Sequence, residues 1–161
     1  MKRPLILICT HLAMLAVGFG AGVYTLPILT AGPGLSAADA RAAAQEARYR
    51  GHFVRDLPGS DALHWADGAL AVTDDALVFD GRVAPGPDYR VYLVPEFVDS
   101  GPAFLALKAR ARQVGALRTF GASRTPLPSD VDAGAYTTVV IWCERFSRFI
   151  GAAQYRGAGD A

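Results

Sequence analysis

The sequence predicts an all-β domain, an antiparallel β-sandwich, carried behind one N-terminal transmembrane helix and a short helical stalk. Three observations predict it. From Pro4 to Ala38 no side chain carries a fixed charge. The run Thr137 to Cys143, TTVVIWC, is β-branched and aromatic with no turn former in it, which is the composition of a strand buried on both faces. The 17 glycines and 10 prolines punctuate the second half of the chain often, favouring short strands and turns over long helices.

At 161 residues and 52% hydrophobic content, the chain holds one globular domain besides its N-terminal segment. Lys2 and Arg3 precede the uncharged run, and about 20 apolar residues at 1.5 Å each cross a hydrocarbon core. Residues 1–31 therefore read as a signal anchor with its N-terminus in the cytoplasm, which places the domain in the periplasm or outside the cell, at the inner (cell) membrane. A cleaved signal peptide is the rival, but its apolar core of ~7 to 15 residues is shorter than this one. Gly18 and Gly22 form a GxxxG pair that would let two such helices approach as a homodimer. Residues 32–49 follow as hinge and stalk: Gly32, Pro33 and Gly34, then Ser36 and Asp39 spaced as a capping box, then an alanine-rich helix to about Tyr49.

From residue 50 to 156 the signals are those of strands, with 157–161 left as a tail. Strands are expected at 51–54, 69–73, 76–80, 89–94, 104–109, 114–120, 137–143 and 149–155, and Asp74-Asp75 joins the second and third as a hairpin. Lys108, Arg110 and Arg112 alternate, as on the solvated face of an edge strand. In the Pro85-Gly86-Pro87-Asp88 turn, Pro87 fixes the backbone, Gly86 supplies a positive φ and Asp88 bonds neighbouring amides. Strand periodicity puts Cys143 on the face of Val139 and Ile141, and Trp142 on the face of Thr138 and Val140.

Charge and motif content exclude several classes of function. Sixteen basic and 15 acidic side chains leave a net charge of +1, with no electrostatic footprint for nucleic acid. No GxSxG, HExxH, GxxxxGK or helix-opening GxGxxG is present, so there is no hydrolase or transferase constellation, and an enzymatic role is at most a redox one. Cys9 lies in the apolar run, out of reach of Cys143, which leaves Cys143 as the lone thiol of an exported domain. Cys143, His52 and His64 meet the minimum for a blue-copper site. Copper is disfavoured, because Met1 and Met14 fall outside the domain and no histidine follows Cys143. Covalent haem is excluded because Glu144-Arg145-Phe146 follows Cys143. Non-covalent haem through Cys143 or His64, a bare redox thiol, and a buried cysteine that only fills the core all stay open.

In order along the chain stand Gly51 with Phe53, His64 with Gly68, Gly86-Pro87-Asp88 with Val91-Tyr92-Leu93, Ile141-Trp142-Cys143, then Phe146, Phe149, Gly151 and Ala153. This series resembles the DM13 domain family over residues 50 to 156. It departs from the family pattern at Leu105-Ala106-Leu107-Lys108, where the family sets a leucine and lysine closer to a following glycine. The resemblance implies a β-rich extracytoplasmic electron-transfer module whose hallmark cysteine, here Cys143, acts as a free thiol or through a bound group such as haem. It also implies a redox partner protein, with His64 as the second candidate residue. The alternative is a non-catalytic interaction module that docks partners through its sheet edges and carries Cys143 as a structural residue.

Overall fold

A computed structural model describes residues 2–157. The tail expected at 157–161 lies outside the described residues except for Gly157. Helix α1 (Lys2–Leu29) is long and apolar enough to cross a membrane and buries none of its residues. Helix α2 (Ala37–Gln45) is capped by Ser36, whose hydroxyl accepts the Asp39 amide at 3.1 Å and donates to the Asp39 carboxylate at 2.6 Å, so the N-cap half of the expected capping box forms.

Among the described residues eight strands follow, β1 (Tyr49–Phe53), β2 (Ala66–Val72), β3 (Ala76–Val83), β4 (Tyr89–Val94), β5 (Arg112–Leu117), β6 (Ser123–Pro126), β7 (Thr138–Cys143) and β8 (Arg148–Gln154). They build two antiparallel sheets of four, ordered β1-β2-β3-β6 and β5-β4-β7-β8. The sandwich predicted from strand spacing is therefore the fold, and β2 and β3 form the hairpin expected around Asp74-Asp75. Where β1 and β8 lie edge to edge, a Cβ on Gly51 would stand 2.6 Å from the Gln154 carbonyl oxygen, so a glycine permits the approach.

The inner faces of both sheets meet in one core that includes Phe53, Leu70, Phe79, Leu93, Val139, Ile141 and Cys143. Every residue of β7 is buried, because each of its two faces is covered. Val140 and Trp142 point the other way, into a second cluster with Tyr92 and Phe104 under α3 (Gly101–Leu107). On the opposite side α2 lays Ala43 against Ala71, Ala76 and Val78 of the first sheet. The alanine-rich helix thus packs on the sandwich, since small side chains let a helix approach a sheet closely.

Three local expectations are corrected. Residues 104–109 are helical: Pro102 sits in the first turn of α3, where its missing N–H costs nothing, and Ala103 to Leu107 favour a helix. Lys108 and Arg110 consequently lie in a 3-10 turn and share no strand face with Arg112. They pair instead with Glu144 and Glu96, and Arg112 pairs with Asp130, each at 2.8 Å. Strand β6, of only four residues including Ser and Pro, gave no periodic signal. Finally, Gly68 is the only glycine with a positive φ among the described residues, so Gly86 is extended or right-handed.

Candidate functional site

Cys143 ends β7 opposite Tyr89, the first residue of β4. It is a free thiol at 2% exposure, packed among inner-face core residues. The face assignment from strand periodicity holds, because the register shift beside Trp142 leaves the alternation of β7 itself intact.

His64 comes from the connection between β1 and β2. Asp61 forms a tight turn there: its carboxylate accepts the amides of Leu63 and His64 at 2.8 and 2.9 Å and takes His64 Nδ1 at 2.8 Å. The His64 hydrogen bond, against the opposing effect of burial, holds the Asp61 carboxyl below its ordinary value. With Nδ1 engaged, Nε2 is the ring nitrogen left for other partners.

These elements meet. A cavity of about 180 Å³ is lined by Cys143, His64, Leu63, Tyr89, Phe146, Pro85, Gly86 and Pro87, and by Gly20, Val23 and Tyr24 of α1. Its walls are mainly apolar. Tyr89 is buried, and burial, with the neighbouring Cys143 sulfur adding to it, pushes its phenol well above the ordinary tyrosine range. The hydroxyl therefore stays protonated at every physiological pH.

The GPD turn forms one wall of that cavity and, from its other side, lines a cleft of about 360 Å³ with Pro27, Thr30, Arg90 and Arg118. Gly86 is required for space rather than for a left-handed backbone, since a Cβ there would overlap the Tyr89 ring and hydroxyl. Asp88 pairs with Arg90 at 2.8 Å in place of the expected amide bonds, and its carbonyl accepts the Glu144 amide at 3.0 Å. The motif thereby ties the start of β4 to the end of β7.

Trp142 lies outside the cavity. Its ring stacks at a tilt on Phe104 with centroids 4.9 Å apart, under the Lys108 ammonium. On that face Glu144 receives the Lys108 ammonium at 2.8 Å and the Tyr92 hydroxyl, which also reaches Gln113 at 3.0 Å. Burial pulls the Glu144 carboxyl up, but the Lys108 and Tyr92 hydrogen bonds and the Lys108 charge outweigh it and hold it below the ordinary glutamate value. Tyr92 shifts the opposite way, raised by burial and by its bond to Glu144.

His52 sits on β1, exposed and 3.5 Å from Asp67, and does not line the cavity. Haem does not fit the Cys143 and His64 pair either. Pockets for drug-sized ligands run to about 300–1,000 Å³, whereas this cavity is about 180 Å³ with its thiol almost wholly covered. Sequence reasoning missed Asp61, Leu63, Tyr89 and the α1 residues of the wall. Only Asp61, three residues before His64, carried a local signal.

Comparison with curated proteins and with solved structures returned no match. The family described as Electron transfer DM13 matches residues 57–155, which is more than half of the chain and takes in every domain residue of the cavity. The chain therefore belongs to the DM13 family.

Proposed function

We propose that this chain is a membrane-anchored, extracytoplasmic electron-transfer module in which Cys143 is the redox-active position and His64 its functional neighbour. One observation carries the reading: a histidine and a cysteine distant in sequence line the same small cavity of an electron-transfer family domain. The chemistry that suits them is thiol–disulfide exchange with a partner protein. The Cys143 thiol gives its proton to His64, which Asp61 orients, and the thiolate attacks one sulfur of a partner disulfide. A Cys143–partner S–S bond forms and the partner S–S bond breaks. The departing sulfur leaves as a thiolate that takes the proton back from His64. Cys143 is thereby oxidised to a mixed disulfide and the released partner sulfur is reduced, so electrons and protons balance. A second partner thiolate restores Cys143 by the reverse attack.

For topology, Lys2 and Arg3 in the first turn of α1 support a cytoplasmic N-terminus, with the domain on the far side of the cell membrane. The interaction-module alternative draws on the 2% exposure of Cys143 among core residues. Alkylation separates the two. With the full chain near neutral pH, iodoacetamide is expected to modify Cys143 in the native state, and His64→Gln is expected to slow it. Peptide masses distinguish Cys143 from Cys9. Modification of Cys143 only after denaturation would overturn the redox reading and leave a structural cysteine.

A further inference from the structure

We infer that the end of the sandwich carrying the Cys143 cavity docks onto the lipid bilayer that α1 enters, through the tip of the β7–β8 hairpin and Leu63. The inference rests on the reading of α1 as a membrane span, and it bears on Cys143, because a partner disulfide would then have to reach the cavity mouth at the bilayer surface.

Depth is the first argument. From Pro4 the span needs about 20 residues at 1.5 Å each to cross about 30 Å of hydrocarbon, which brings Val23 and Tyr24 to the outer interface. Tyrosine favours that level, where its ring is in lipid and its hydroxyl in the headgroups. Gly20, Val23 and Tyr24 line the cavity together with Leu63 and Phe146. The mouth of the cavity is therefore level with the bilayer surface.

The composition of this end is the second argument. Phe146 is 51% exposed and Leu63 is 62% exposed, both at the cavity mouth. Phe146 stands between exposed Arg145 and Arg148. An apolar tip flanked by cations inserts its ring below the phosphates while the guanidiniums bind them. Of the acids nearby, Glu144 is paired with Lys108 and Asp88 with Arg90, and Asp61 is hydrogen-bonded to His64. Among the described residues Arg145 and Arg148 enter no ion pair, which leaves their charge for an anionic surface.

The opposite end, beyond the C-termini of β2, β4 and β6, presents solvated ion pairs: Asp74, Asp75, Glu96 and Asp130 are exposed there and pair with Arg48, Arg124, Arg110 and Arg112. Phe97 is there too, at 46% exposure, and it serves as an internal control of the same residue type.

Photo-crosslinking in vesicles of phosphatidylcholine and phosphatidylglycerol tests the docking on the full chain. The photoreactive residue p-benzoylphenylalanine replaces, one at a time, Leu15 within the span, Leu63, Phe146 and Phe97. All four side chains are exposed, so the replacements leave the core unaltered. After irradiation, mass spectrometry is expected to find lipid adducts at positions 15, 63 and 146 and none at 97. Adducts at 15 without any at 63 and 146 would overturn the docking and leave the anchor standing. Equal yields at 97 and 146 would overturn the orientation on which the docking depends. Loss of the adduct at 15 would remove the anchor and the docking together. Because no readout passes through a thiol, a failure here is separate from a failure of alkylation at Cys143.

Discussion

Gly86 packs beneath the ring of Tyr89, and Tyr89 is too deeply buried to swing away from an added Cβ. Gly86→Ala is accordingly expected to destabilise the domain by about 1–3 kcal/mol, the cost of overpacking a tight site. A shift of the urea midpoint at unchanged slope measures it, and an unchanged midpoint would show that the ring yields freely. The same residue shows what a dipeptide signal conveys. A glycine before a proline announces a turn, but whether it serves conformation or space depends on a ring three residues on, whose rotamer is set by the core. Cys143 poses the same problem in reverse. Its face follows from strand alternation, whereas its meeting with His64 needs the β1–β2 connection to fold back over the end of the sandwich.

Between elements, the Glu144 cluster joins the β7 terminus to β4 through Tyr92 and to the 3-10 turn after α3 through Lys108. The folded carboxyl titrates below its unfolded value of 4.5. Its contribution to stability is therefore full above that value and is lost as pH falls through the lower folded value. Glu144→Gln is expected to cost on the order of 1 kcal/mol at neutral pH. It is also expected to flatten the stability profile in the acid window below pH 4.5, where the wild type declines. Denaturation curves from pH 7 to pH 3 check both, and parallel wild-type and variant profiles would show that another carboxylate governs the slope. The three basic residues of this region read as one strand face only because alternation in sequence mimics alternation in space. Their helix and turn come from Pro102 and the leucine-alanine run before them.

For the whole molecule, the sandwich and the two flanking helices form layers with their apolar faces matched, α2 over the first sheet and α3 over the second. The proposed topology predicts that a phosphatase reporter fused after Ala161, active only outside the cytoplasm, gives activity in cells. Activity only from a cytoplasm-specific reporter would reverse the orientation. Full-length protein should remain in the membrane fraction after a carbonate wash, and release by the wash would argue that residues 1–31 do not anchor it.

Periodicity and composition by themselves determined the apolar span, the capped helix at Ser36, the β2–β3 hairpin, the fully buried β7 and the face on which Cys143 stands. These are local properties, fixed by side chains a few residues apart and by the two-residue repeat of a strand. Tertiary structure alone decided that α2 packs on a sheet, that β6 pairs with β3, and that Asp61, His64, Tyr89 and Cys143 converge beside α1. Each of those depends on contacts between residues far apart in sequence. Such contacts are selected by the burial and packing of whole elements, which no window of neighbouring residues encodes.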